Sequence, residues 1–184
     1  MKMKFVVAAL LAASTLAMGQ KIKSKNEENA VRALLGAQTP DAKIAAAEEI
    51  VTKFKDSEWK SIALFQAGQA AQQKGDAAGA INYGTRAIEA DAKNYQALLL
   101  VSGVLAQGVR EFDLDKDEKV TRGTKLANDA IAAVNSAPKP NPSLTDDQWA
   151  GIKKDFLAQA HDTLGVMAGI QKKYDVAIKE FQTS

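Results

Sequence analysis

Two segments of this chain carry the same arrangement of small, apolar and turn-forming residues, and this repetition limits most strongly how the chain can fold. Residues 41–59 and 76–95 both open with Asp-Ala, place Ala at their fifth position, and close with Lys, a short turn and an aromatic residue. The offset of about 34 residues is the length of a two-helix repeat. Because one thin hairpin cannot bury its apolar face alone, we expect several hairpins to stack.

The stretch from Ser57 to Ala92 predicts two short amphipathic helices joined by a tight turn. Its apolar residues recur at helical spacing, on one face as Ile62, Leu64, Phe65, Ala67 and Ala71 and on the next as Ala80, Tyr83, Ala87 and Ile88. We expect Ser57 to cap the first helix and Asp76 to cap the second. Gly75 can adopt the positive φ that ends the first helix.

Small residues occupy the positions where these two helices would cross. Gly68, Ala80 and Ala87 would let the backbones approach closely, because a large side chain at a crossing point forces two helix axes apart. With Ser61 as the first position, these residues fall on the small positions 8, 20 and 27 of the tetratricopeptide repeat, which the stretch therefore resembles. The larger signature residues differ, since Leu64 stands where that family usually has Trp.

The end of the chain resembles the same family. With Ala158 as the first position, five signature positions match, at Leu164, Gly165, Tyr174, Ala177 and Phe181. We expect this last unit to be incomplete, because Ser184 falls inside its second helix.

The pattern divides the chain into five segments. They are a signal peptide at 1–19, a flexible leader at 20–25, repeats at 26–136 with an insertion near 110–119, a Pro-rich connector at 137–142, and a long helix with the last hairpin at 143–184. The resemblance implies an all-α fold in which antiparallel helix pairs stack as a short right-handed solenoid. Further helix starts are predicted at Asn26 or Asn29, at Thr39 with Pro next to it, and at the capping box formed by Thr145 and Gln148.

Residues 1–19 match a secretory signal peptide. They combine a basic start, an apolar run of about a dozen residues that is short for a membrane span, and small residues at the cleavage positions. We expect a mature chain that begins at Gln20, lies in the periplasm or outside the cell, and has no stable membrane insertion. A retained membrane anchor is the alternative.

Charge and composition exclude several classes of function. The chain has 24 basic and 22 acidic residues, and the surplus of two disappears when Lys2 and Lys4 are removed with the signal. A neutral surface offers no electrostatic footprint for nucleic acid. The absence of Cys excludes disulfides, thiolate metal sites and cysteine nucleophiles. We expect no cofactor.

Two small groups of residues deserve comparison with known chemistry. Carboxylates alternate at Asp113, Asp115 and Asp117, as in calcium loops, but Glu118 stands where such a loop needs Gly and Thr124 where it needs Glu. A solvated acidic turn is therefore the favoured interpretation.

His161 is the only histidine, and no nucleophile at a recognisable motif accompanies it. A packing role is favoured. A hydrolase with His161 as its base is the least favoured hypothesis, and we predict that the protein is not an enzyme.

The resemblance implies a protein- or peptide-binding surface on the first helices of the pairs. Carried over by position, it comprises Ile62, Phe65, Gln69, Gln72 and Gln73 in one unit, Gln96, Leu99, Gly103, Ala106 and Gln107 in the next, and Gln159, Asp162, Val166, Gly169 and Ile170 in the last. The set lacks the Lys and Asn pairs by which chaperone-binding members clamp a carboxylate. Its amides suit an extended or helical peptide.

The sequence thus predicts a non-catalytic scaffold of the bacterial cell envelope or secreted space. The alternative is a structural subunit of an envelope assembly or a homo-oligomer.

Overall fold

The structure is a computed structural model that describes residues 20–184, and these residues form an all-α fold. The predicted signal peptide lies outside the described residues. The part of the chain that is described contains eight helices: α1 (Lys25–Gly36), α2 (Pro40–Lys53), α3 (Lys60–Gln73), α4 (Ala77–Ala90), α5 (Tyr95–Gly108), α6 (Lys116–Ser136), α7 (Asp146–Ile170) and α8 (Tyr174–Thr183). The prediction of an all-α fold is confirmed.

The helices pack in the order in which they occur along the chain. Each helix contacts the one before and the one after it, and the short connections turn successive helices antiparallel. In addition, α3 contacts α5, and α5 contacts α7. These contacts enclose α5, in which 11 of 14 residues are buried.

Close helix approach depends on the glycines that the sequence singled out. A Cβ on Gly68 of α3 would lie 2.7 Å from Leu100 Cδ2 of α5 and 3.3 Å from the backbone nitrogen of Gly84 in α4. A Cβ on Gly165 of α7 would lie 2.6 Å from the Phe181 ring of α8. Ala80 and Ala87 are fully buried, as the crossing predicted.

Several predicted caps are confirmed. Gly75 has φ 76° at the end of α3, and the Asp76 carboxylate accepts from the backbone N–H of Gly79 at the start of α4. The Thr39 hydroxyl caps α2, with Pro40 at the first helical position. At the start of α7 both bonds of the capping box between Thr145 and Gln148 are present.

Two predicted caps are wrong. Ser24, rather than Asn26 or Asn29, caps α1 by accepting from the backbone N–H of Glu27. Helix α3 begins at Lys60, and the Ser57 hydroxyl accepts from the N–H of Trp59 instead of capping the helix. The position of the Trp59 ring, buried in the core with α1 and α2 residues, fixes where α3 starts.

The segments predicted to be irregular make specific contacts. In the leader, Lys23 Nζ donates to the carbonyl of Asp56 at 2.6 Å, and the backbone N–H of Lys21 donates to Glu58 Oε2 at 2.9 Å. The leader thus lies against the α2–α3 connection. In the insertion, helix α6 already begins at Lys116, so only residues up to 115 form the turn.

Candidate binding surface

Of the fifteen residues proposed for the binding surface, five are buried: Ala106 near the end of α5, and four at the starts of α3 and α5. Ile62 and Phe65 on α3 and Gln96 and Leu99 on α5 are each less than 9% exposed. All four lie in the first half of their helices. These four side chains are therefore not presented at the surface.

Neighbouring helices cover these four positions. Ile62 packs in a core cluster with Ala30 and Val31 of α1, and Leu99 packs in another with Trp149 and Ala160 of α7. Helix α7 begins three turns before its tetratricopeptide-like part, and this extension brings Phe156 to 4.9 Å from the Tyr95 ring, measured between centroids. The extension is what closes the start of α5.

The remaining ten proposed residues are at least partly accessible. Gln69, Gly103, Gly169 and Ile170 are half-buried, and the exposed members are Gln72, Gln73, Gln107, Gln159, Asp162 and Val166. Because α3 and α5 run in the same direction and touch, Gln73 and Gln107 end neighbouring helices on one side of the molecule. The groups presented there are neutral amides that both donate and accept.

An open cavity of about 300 Å³ lies at the opposite end of α3 and α5. Its lining is polar and of mixed charge, formed by Gln20, Ser57, Glu58, Lys60, Ser61, Ile62, Ala90, Asp91, Lys93 and Asn94. A buried relay lies beside it: Asn94 Nδ2 donates to Ser61 Oγ at 2.8 Å, and Ser61 Oγ donates to the carbonyl of Ala87 at 2.8 Å. This relay joins α3, α4 and the cap of α5.

The acidic turn is neutralised within the chain. Lys119 Nζ lies 3.1 Å from Asp113 Oδ2 and 2.8 Å from Asp115 Oδ1, so an ammonium group occupies the place that a cation would take. The hydrogen bond from Lys119 lowers the pKa of Asp113. Among residues 20–184, no group of three or more His, Cys, Asp or Glu side chains has an arrangement that could hold a metal ion.

His161 connects two helices. Its Nδ1 lies 2.7 Å from Glu180 Oε2, and both side chains are about one-fifth exposed. The pair joins α7 to α8 beside the contact between Gly165 and Phe181.

Sequence reasoning missed a set of exposed apolar side chains. Phe112 and Leu114 in the α5–α6 turn are almost fully exposed, and Tyr174, Ile178 and Phe181 on α8 are 61%, 56% and 46% exposed. The repeat pattern contained part of the signal, because it placed Tyr174 and Phe181 at signature positions of the last unit.

The comparisons with known proteins leave the family open. No protein-family model, no curated protein and no solved structure matches this chain. Within the described residues, no helix combines the length and the apolar character that crossing a bilayer requires.

Proposed function

We propose that this chain is a non-catalytic protein-binding scaffold, built as a short right-handed solenoid of tetratricopeptide-like helix pairs. The observation that carries the proposal is a set of polar links between residues about one repeat apart. The Lys74 ammonium donates a hydrogen bond to Asp41, and the Asn94 amide donates one to Ser61. In each case the two residues are 33 positions apart in the sequence. Arg86 bonds Glu48 across 38 residues. Regular spacing of this kind is expected when equivalent units stack on one another.

The links and the helix contacts support two layers. Helices α3, α5 and α7 touch in succession. On the other side, Arg86 of α4 reaches Glu48 of α2 at 2.6 Å, and Arg122 of α6 reaches the Thr85 hydroxyl of α4 at 2.6 Å. One layer of first helices and one of second helices is the arrangement of a tetratricopeptide array.

The surface proposed for the partner consists of glutamine side chains toward the ends of α3 and α5. We call it the amide surface, and its members are Gln69, Gln72, Gln73 and Gln107. An amide side chain can pair with the backbone N–H and C=O groups of an extended or helical peptide. The four amides are uncharged, and the cations beside them, Lys74 and Arg110, bond to Asp41 and to backbone carbonyls of the chain itself. We therefore expect binding that depends only moderately on salt.

Site-specific cross-linking tests the amide surface. A photoreactive benzoylphenylalanine is placed at Gln73 or at Gln107, and the matched control is placed at the exposed Asn82 of α4, in the other layer. In cells that make the protein, we expect one adduct of the same mass from both glutamine positions and none from Asn82. Absence of adducts from the glutamines, or equal labelling at all three positions, would contradict the proposal.

The proposed location is the periplasm or the outside of a bacterial cell. It rests on the signal-like sequence at 1–19. Mass spectrometry of the protein from its producing cells should give a chain that starts at Gln20. A chain that retains Met1 would contradict this location.

A further inference from the structure

The leader before α1 is held in place by hydrogen bonds that begin one residue after Gln20. The backbone N–H of Lys21 donates to Glu58 Oε2 at 2.9 Å, and the backbone N–H of Lys23 donates to Glu27 Oε2 at 2.6 Å. These bonds tie the leader to the α2–α3 connection and to α1. Gln20 itself is therefore attached to a fixed segment.

Gln20 lies half-buried in the lining of the open cavity at the starts of α3 and α5. The charged side chains of this lining are two acidic and two basic ones, Glu58, Asp91, Lys60 and Lys93. The lining thus offers no net charge that would favour an ammonium group over a neutral one. Among residues 20–184 no donor bonds to Gln20 Oε1, so this carboxamide oxygen has no hydrogen bond to lose when the side chain rotates.

We propose that Gln20 is a modification site: as the N-terminal residue of the exported chain, it closes on itself and becomes pyroglutamate. This inference rests on the proposed location, because cleavage between Gly19 and Gln20 is what releases the α-amino group. The α-nitrogen forms a bond to Cδ, and the bond between Cδ and Nε2 breaks. Nε2 takes up one proton from the attacking nitrogen and leaves as ammonia, so no oxidant or other reactant is required.

The chemistry of the two groups favours this reaction. An α-amino group has a pKa of ~7.7–8.0, so about a tenth of it is unprotonated and nucleophilic at neutral pH. Four bonds separate the α-nitrogen from Cδ, and closure gives an unstrained five-membered lactam. Nucleophile and carbonyl belong to one residue, which replaces a bimolecular encounter by a few bond rotations. Because only Gln20 rotates, the bonds of Lys21 and Lys23 can persist.

The modification changes how the chain begins. The lactam has no free α-amino group, and aminopeptidases that bind such a group cannot start on the leader. It also places an uncharged ring at the cavity, in agreement with the balanced charge of the lining.

Mass spectrometry of the protein exported by its producing cells tests the proposal. We expect a chain that starts at Gln20 and is lighter than the unmodified chain by one ammonia molecule, with the loss confined to the N-terminal peptide. A synthetic peptide of residues 20–25, added when the cells are harvested, measures conversion caused by handling. A chain that starts at Gln20 with its full mass would overturn the modification alone. A chain that retains Met1 would overturn the location and the modification together.

Edman degradation of a matched variant identifies the group that reacts. Gln20→Asn keeps a carboxamide but is one carbon too short, since closure would require a strained four-membered ring. The unsubstituted chain should resist Edman degradation until pyroglutamyl peptidase removes its first residue from the denatured protein, whereas the Gln20→Asn chain should be read directly. An unsubstituted chain that is read from position 20, or a Gln20→Asn chain that is equally blocked, would overturn the proposal. None of these results affects cross-linking at the amide surface.

Discussion

The glycines at helix crossings show how a missing side chain determines the packing of whole helices. A Cβ on Gly68 would meet Leu100 at 2.7 Å and the α4 backbone at 3.3 Å, whereas a Cβ on Gly103 of α5 would have nothing within 4 Å. We predict that Gly68→Ala is less stable than Gly103→Ala by about 1–3 kcal/mol, because backbone atoms cannot yield as a flexible side chain can.

Urea unfolding of both variants measures this difference. Gly103→Ala serves as the control for helix propensity, because both substitutions place Ala inside a helix. Equal stabilities would mean that α3 and α4 are not held as closely as described.

The turns after α3 and α7 show the limit of residue-level prediction. Gly75 and Lys172 occupy equivalent places, and both have positive φ, 76° and 62°. The sequence predicted the first, because Gly is the residue that favours this conformation. It gave no signal for the second: Lys rarely adopts a positive φ, and the bond between Lys172 and Glu111 of another turn is a tertiary contact.

The exposure of the residues proposed for the binding surface was likewise predictable at some positions and not at others. The family resemblance assigned Gln72, Gln73 and Gln107 to a surface on the first helices of the pairs, and all three are exposed. It could not show that Leu99 and Gln96 are covered, because Trp149 and Phe156, which enclose this region, come about 50 residues later in the chain.

At the scale of elements, α2 and α4 are joined by an ion pair with a pH-dependent contribution. The hydrogen bond and charge of Arg86 lower the pKa of Glu48. A carboxyl whose folded-state pKa is depressed stabilises the fold above its unfolded pKa and loses that contribution as the pH falls through the folded value. The pair therefore contributes at neutral pH and ceases to contribute in acid.

We predict that Arg86→Gln costs about 0.5–1 kcal/mol at pH 7, a value that allows for solvent screening of a partly exposed pair. The cost should decrease as the pH falls through the lowered pKa of Glu48, because a protonated carboxyl no longer forms the ion pair with Arg86. Urea unfolding at pH 7, 5 and 3 measures this decrease. Lys125→Gln, which removes an exposed pair within α6, should change stability little at any pH. A cost for Arg86→Gln that persists at pH 3 would assign the effect to packing, including the contact with the Tyr83 ring.

Helix starts were predictable where the cap is local. Thr39, Asp76 and Thr145 lie directly before their helices, and each side chain accepts a hydrogen bond from a backbone N–H in the first turn. The start of α3 could not be predicted from local sequence, because it depends on the burial of Trp59 against α1 and α2, which is a tertiary effect.

At the scale of the whole molecule, the contacts predict a gradient of local stability. Helix α5 is buried along 11 of its 14 residues, whereas α8 buries only Ala177 and contacts α7 at one end of the packing order. Units that contact mainly their neighbours open most readily at the ends.

We predict that amide hydrogen exchange, followed by mass spectrometry at low protein concentration, is slowest in α5 and fastest among the helices in α8. Uniform protection across all eight helices would contradict the gradient and indicate a single cooperative unit.

The enclosure of α5 also bears on how the chain is made. The ribosome completes α5 while α6 and α7 are still to be synthesised, and at ~5–20 residues per second the next ~60 residues take several seconds. During that interval the apolar run Leu98–Val101 has only its upstream neighbours for shelter. A truncated chain released from the ribosome after Gly108 should therefore be held by chaperones, whereas one released after Ile170 should not.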